Sequence, residues 1–204
     1  MKKQKGLKGF VLLALGLLAV NVGGQFVFHR FDLTADQRYT LSDSTKKILN
    51  EVTEPVFIDV YLEGNFPAEF RKLQTESKQL LEEFSAYNTN VNFLFVNPIA
   101  NEKDAPQVAE MLFANGMKPI NISVNDKGKQ SQEMVFPWAV ATKGEQHAKI
   151  QLLKNVMGAS TEDKITFSVQ HLEYAITEAI DKVNTKKSKK IAIIKGIGEP
   201  NDVY

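Results

Sequence analysis

Apolar residues recur along this chain with two different spacings, which separate predicted helices from predicted strands. The clearest helical pattern covers 66–87, where apolar side chains return every three or four residues over about five turns. Ser42 is a typical N-cap residue, and Pro55 ends the helix that it begins. Together, spacing and capping residues predict helices over 42–54, 66–87, 104–116 and 165–183.

Runs of β-branched and aromatic residues between these helices predict the strands. The predicted strands are 56–62, 91–96, 119–124, 133–142 and 147–153, the last two forming a hairpin around Gly144. The resulting order, β-α-β-α-β-β-β-α, predicts an α/β fold with a mixed sheet and helices on both faces. With Pro119 just before the third strand, the order is also thioredoxin-like.

Cysteine usage limits what such a fold can do. The chain has no cysteine, which excludes a disulfide framework, a thiol nucleophile and a Cys-ligated metal. A thioredoxin-like fold would keep its redox cysteines at the start of the first long helix, which here reads Gly64-Asn65-Phe66-Pro67. If the fold is thioredoxin-like, its redox chemistry is absent.

The N-terminus combines basic and uncharged segments. Residues 1–8 contain four lysines, and 9–28 contain no charge over a length of ~20 residues that suits a bilayer core of ~30 Å. This predicts a cytoplasmic tail and one transmembrane helix in contact with the lipid bilayer, preceding the α/β body. The positive-inside rule then keeps the N-terminus in the cytoplasm and places the body outside the cytoplasm. Two alternatives stay open: a cleaved signal peptide, because the strongest apolar stretch is short, and a buried core helix.

Two further boundaries follow from composition. Residues 29–184 form the predicted extracytoplasmic α/β domain, and the lysine-rich stretch 185–190 is a linker. Four consecutive apolar residues, 191–194, then resemble a buried strand. We therefore expect 191–204 to be the start of a second, truncated α/β domain within a longer protein.

Charge distribution argues against nucleic acid as a partner. The net charge is +1, but eight of the 25 basic residues lie in the two lysine clusters at 2–8 and 186–190. The remaining 17 basic residues face 24 acidic ones, so the body carries about seven negative charges in excess. Phosphate backbones require a basic surface instead.

No motif for catalysis, metal or cofactor binding stands out. The chain lacks a P-loop sequence and the G-x-S-x-G signature of serine hydrolases. His29, His147 and His171 are far apart and have no partner at metal-ligand spacing. Gly196 and Gly198 begin a dinucleotide-like loop, but Asn201 stands at its third glycine position. We therefore predict a protein that is not an enzyme and has no cofactor.

Several segments together resemble a known family. They are 30–34 with 38–42, 55–62, 93–98 and 195–199, and the D-L-T-x-D-x-R-Y-T-L-S run at 32–42 is the most specific. In order and spacing the chain resembles the N-terminal part of GldG, the auxiliary protein of a gliding-motility ABC transporter. The resemblance implies an inner-membrane protein that works with a separate ATPase subunit and a separate permease subunit. It also implies a second α/β domain and a C-terminal membrane helix, and it carries over no catalytic residue.

The shared run near the N-terminus supplies the candidate partner-binding residues. They are Phe31, Leu33, Arg38, Tyr39 and Leu41. Apolar and polar residues alternate there, which favours a strand or collar against the membrane or the permease. The alternative is that these residues only pack against their own domain.

The expected function follows from these observations. It is that of a non-enzymatic, membrane-anchored accessory component of an ABC transporter complex in bacterial gliding motility and associated secretion. A periplasmic solute-binding protein with a cleaved signal peptide is the alternative, and a degenerate thioredoxin-like enzyme is a third.

Overall fold

The computed structural model describes residues 13–17, 40–64, 66–101, 103–126 and 129–185, with side chains at 125–131 left out of the description. The chain divides into two units, Met1–Arg38 and Tyr39–Tyr204. In the first unit, residues 13–17 are helical and Leu13, Leu15 and Leu17 are exposed. The predicted tail 1–8 and the predicted segment 191–204 lie outside the described residues.

The transmembrane helix that the sequence predicted over 9–28 is not supported. Among the described ranges, no helix is long and apolar enough to cross a membrane. Within 9–28 only 13–17 are described, and five helical residues span ~8 Å of the ~30 Å required. Absence of charge made 9–28 resemble a span, yet four glycines, Asn21 and Gln25 also lie within it. These residues lower both helix propensity and hydropathy, so the fold prediction was wrong on this element.

The described residues of the second unit form four helices and six strands. The helices are α1 (Asp43–Asn50), α2 (Ala68–Tyr87), α3 (Ala105–Ala114) and α4 (Thr161–Asn184). The strands are β1 (Val56–Val60), β2 (Val91–Phe95), β3 (Ile120–Asp126), β4 (Lys129–Val135), β5 (Trp138–Lys143) and β6 (Gln146–Gln151). Ser42 and Ser160 cap α1 and α4, since their hydroxyls accept the N–H of Thr45 and Asp163.

The strands of the described residues form two separate sheets. A mixed sheet has the order β2-β1-β5-β6, and β3 pairs with β4 in a two-stranded sheet. Strands β1 and β2 are parallel, because α2 carries the chain back between them. Strand β5 runs antiparallel to both β1 and β6.

The main core lies on one face of the mixed sheet. Alternation in β1 directs Val56, Ile58 and Val60 to this face, where α2 and α4 pack and α1 packs against both helices. Small side chains in β5, Ala139 and Ala141, are fully buried beneath α4. The β3–β4 hairpin also contributes buried side chains to this core, namely Ile122, Val124 and Val135.

The order of strands differs from the predicted one. The predicted strand over 133–142 is broken at Phe136-Pro137, so that its first part belongs to β4 and its second part to β5. Proline has no N–H for a strand ladder, and the chain changes sheet at this position. The predicted series was therefore one strand short, and it did not contain a second sheet.

Candidate functional site

The outer face of the mixed sheet, opposite the main core, is formed by the remaining positions of each strand. In β1 these positions are Phe57 and Asp59, and in β2 they are Asn92 and Leu94. The parallel register places Phe57 beside Asn92 and Asp59 beside Leu94. On the other side of β1, Phe57 pairs with Thr142, which in turn pairs with His147 of β6.

Helix α3 covers only one part of this outer face. Leu112 of α3 forms a small buried cluster with Met117 and Phe136, against which Tyr61, Trp138 and Val140 pack. The indole Nε1 of Trp138 donates a hydrogen bond to the Lys118 carbonyl at 3.0 Å. These contacts fix α3 near the end of the sheet where β1 ends and β5 begins.

Within the described residues, the rest of the outer face is open. We call Phe57, Asn92, Leu94, Thr142 and His147 the open sheet face. Phe57 is 55% exposed and Leu94 is 60% exposed, although both belong to strands of the sheet. Thr142 Oγ1 and His147 Nδ1 lie 3.1 Å apart and form a polar border. Two large apolar side chains, surrounded by polar ones, thus face solvent together.

A small pocket lies where the parallel strands β1 and β2 end. Tyr61, Glu63, Asn97, Glu133 and Phe136 are among its lining residues, and its volume is about 40 Å³. The carboxyl ends of parallel strands are a common place for ligands in α/β proteins. However, pockets for small molecules usually have ~300–1,000 Å³, and this one has room for only a few water molecules. The pocket gives no support to a solute-binding role.

Tyr61 is the titratable group that this environment perturbs. Burial raises the pKa of the Tyr61 hydroxyl above its ordinary value, and the negative charge of Asp59 adds to the effect. A group with a raised folded-state pKa keeps its proton up to a higher pH in the folded protein than in the unfolded chain. Stability is therefore lost as the pH rises from about 10, the ordinary tyrosine pKa, towards the folded-state value.

We expect the Tyr61→Phe variant to lose less stability than the unaltered chain above about pH 10. Urea unfolding at pH 8 and at pH values above 10 measures the difference, and tyrosinate absorbance at 295 nm gives the titration. Equal losses in the two proteins would contradict the raised pKa of Tyr61.

Of the five site residues predicted from the sequence, the structure describes only one. Phe31, Leu33, Arg38 and Tyr39 lie outside the described residues. Leu41 is 6% exposed and packs in the main core. For Leu41, this position agrees with the alternative interpretation, in which the residue packs against its own domain.

Sequence reasoning missed the open sheet face. A signal was present in β1, because Val56, Ile58 and Val60 form one apolar set and Phe57 falls in the opposite set. Whether that opposite set is covered depends on the length and position of α3, which no local pattern reveals. In the described parts of the chain, no group of three or more His, Asp and Glu side chains could hold a metal ion.

The chain is similar to one known protein family. One family model matches residues 35–142, more than half of the 204 residues. The chain belongs to the DUF7088 family. Its description is a domain of unknown function. None of the curated proteins and none of the solved structures matches the chain.

The DUF7088 match covers the elements from α1 into β5. Both strands that carry the apolar part of the open sheet face, β1 and β2, therefore lie inside it. Strand β6 and helix α4 lie beyond its last residue, although β6 completes the mixed sheet and α4 covers much of the core. The folded unit is thus larger than the matched segment.

Proposed function

We propose that this DUF7088 domain is a non-enzymatic, protein-binding accessory component of an ABC transporter complex involved in bacterial gliding motility and associated secretion. Its partners in this proposal are the permease subunit and the separate ATPase subunit. The observation that carries the proposal is the open sheet face, where Phe57 and Leu94 are both more than half exposed.

The physical support for a protein partner comes from the cost of leaving apolar side chains in water. Burying apolar surface yields ~25 cal/mol per Å², so a partner that covers Phe57 and Leu94 gains free energy. Aromatic residues in a polar surround are typical of the side chains that dominate binding energy in protein interfaces. Phe57 has such a surround in Asn92, Thr142 and His147.

The support for a transporter comes from the resemblance to the GldG family. Two of the resembling segments, 55–62 and 93–98, contain β1 and most of β2. These are the strands that present Phe57 and Leu94 to solvent. Two of the segments that resemble the GldG family therefore coincide with the strands that carry the proposed binding surface.

The proposal also includes a location, the periplasmic side of the bacterial inner membrane, where the domain reaches the permease. This location follows from the proposed permease partner and does not rest on a transmembrane helix in this chain. Protease accessibility in spheroplasts tests it: digestion of the domain without lysis supports the periplasmic side, and protection until lysis contradicts it.

The test of partner binding is a pull-down from solubilised membranes with mass spectrometry of the recovered subunits. We expect the Phe57→Ser variant to recover at least about fivefold less permease and ATPase than the unaltered chain, which corresponds to ~1 kcal/mol of lost binding energy. Tyr174→Ser is the matched control, since Tyr174 is 67% exposed but lies on α4. Equal recovery with both variants, or recovery of neither subunit by the unaltered chain, contradicts the proposal.

A further inference from the structure

The two edges of the mixed sheet differ in their protection against pairing with other strands. Strand β6 forms one edge and carries His147 and Lys149, both exposed. Strand β2 forms the other edge and lies within 88–101, a stretch that contains no charged residue. Lysine on an edge strand is a common device that prevents edge-to-edge association. The β2 edge has no such device within this stretch.

Hydrogen bonds with β1 determine which backbone groups of β2 point outward. The Val56 N–H donates to the Asn90 carbonyl at 2.8 Å, and the Val96 N–H donates to the Val60 carbonyl at 2.9 Å. In a parallel ladder, the groups that face the neighbouring strand belong to every second residue. The even-numbered residues of β2 therefore face β1, and the backbone groups of 91, 93 and 95 face the free edge.

One of these three residues already has partners. The Val91 N–H donates to the Asn88 carbonyl at 3.0 Å, and the Val91 carbonyl accepts the Ser85 hydroxyl at 2.7 Å. Phe93 and Phe95 remain, and within the described residues no strand pairs with β2 on that side. Each copy of the chain thus offers two N–H groups and two carbonyls in one short segment.

We propose that two copies of this chain associate by antiparallel pairing of β2 with β2, about a two-fold axis beside Leu94. In this register Phe93 of one copy lies opposite Phe95 of the second copy. The two pairs exchange four N–H···O bonds, which use all the outward groups of Phe93 and Phe95 in both copies. The Val91 groups, which are already bonded, are not required.

The side chains fit the same register. Leu94 lies opposite Leu94 of the second copy in a non-hydrogen-bonded pair, where the Cα atoms come within ~4.5 Å and side chains on one face make close contact. Leu94 is 60% exposed in the single chain, so this contact buries apolar surface. On the core face, Phe93 and Phe95 are partly buried and form an edge-to-face pair at 6.1 Å. Pairing places the same two rings of the second copy beside them.

Charge favours a second copy as the occupant of this edge. Two copies bring uncharged segments together, so no like charges meet across the axis. Away from this stretch and the lysine clusters, the chain has 24 acidic residues against 17 basic ones. An uncharged strip is therefore the place at which two such bodies approach with the least repulsion. This inference does not depend on the transporter proposal.

The absence of cysteine makes the register directly testable in the full chain. Leu94→Cys places two thiols in positions that suit a disulfide, so mild oxidation should convert most of the protein to a covalent dimer. Asn92→Cys is the matched control, because Asn92 is exposed on the same strand and the same face. In the proposed register its two copies lie ~14 Å apart along the strands, so we expect at least about tenfold less cross-linking.

Sedimentation equilibrium of the unaltered chain supplies a second measurement that needs no variant to fold. We expect a reversible dimer, and Leu94→Lys should weaken it at least about tenfold because two ammonium groups would meet across the axis. Adding Phe57→Ser to the Leu94→Cys variant should leave the cross-linking unchanged. A loss of partner binding caused by Phe57→Ser can therefore be told apart from a loss of the dimer. A monomer at ~100 µM, or equal cross-linking of the Leu94→Cys and Asn92→Cys variants, overturns the pairing.

Discussion

Leu41→Ala should lower the free energy of unfolding by about 2–4 kcal/mol. Leu41 is 6% exposed and lies in the main core, directly before the N-cap of α1. Truncation removes apolar contacts and leaves a cavity where α1 joins the rest of the fold.

Contacts between α1 and α4 limit the ability of this site to collapse around the cavity. Glu173 Oε1 accepts hydrogen bonds from the Ser42 N–H at 2.7 Å and from the Thr45 hydroxyl at 2.6 Å. The Thr45 and Thr177 hydroxyls lie 3.0 Å apart in the buried contact between the two helices. Because these bonds hold the start of α1 in place, we expect the cavity to persist.

Urea unfolding followed by circular dichroism measures the Leu41→Ala effect. Met157→Ala is the control, since Met157 is 99% exposed and its truncation should change stability by less than about 0.5 kcal/mol. If the Leu41→Ala variant instead kept its full stability, the assignment of Leu41 to the core would be contradicted. If the same variant also recovered no transporter subunits in a pull-down, the hypothesis that Leu41 binds a partner would be supported.

Asn88→Ala should destabilise the domain by a similar amount, about 2–4 kcal/mol. The Asn88 Nδ2 group donates to the Leu49 carbonyl at 2.6 Å and to the Val52 carbonyl at 3.0 Å. Its Oδ1 accepts the Asn90 N–H at 2.9 Å. One side chain therefore joins the end of α1 to the turn between α2 and β2. Its removal takes one donor from each of two carbonyls and the acceptor from the Asn90 N–H in a partly buried place, which costs more than the loss of an exposed hydrogen bond.

The matched control for Asn88 is Asn92→Ala. Asn92 is exposed, and its side chain makes one long hydrogen bond, of 3.3 Å, to the Asn90 carbonyl. We expect a change below about 0.5 kcal/mol for this variant. Equal unfolding midpoints for the Asn88→Ala and Asn92→Ala variants would show that Asn88 does not hold the two segments together.

Local signals were sufficient for most helices and for the two parallel strands. The apolar stripe predicted a helix over 66–87, and α2 is found at Ala68–Tyr87. Ser42 was predicted as an N-cap, and its hydroxyl accepts the Thr45 N–H. Capping and helical periodicity act within a few residues, so the sequence alone can report them.

Other elements depended on contacts between distant residues. The division of 133–142 into β4 and β5 depends on β5 pairing with β1, some 80 residues earlier in the chain. A lack of charge over 9–28 suggested a transmembrane helix, and the described residues did not support it. The alternation around Leu41 allowed either a collar against a partner or packing within its own domain, and only the structure places Leu41 in the core.

By itself, therefore, the sequence determined the helices with strong periodicity, the two parallel strands, the absence of thiol chemistry and the uncharged character of 88–101. Only the tertiary structure decided that β2 is an edge strand, that α3 leaves Phe57 and Leu94 exposed, and that Leu41 is buried. The physical reason is that burial and strand neighbours are set by which distant segments pack together. Periodicity assigns residues to one of two faces of an element, and only the assembled fold determines which of the two faces is buried.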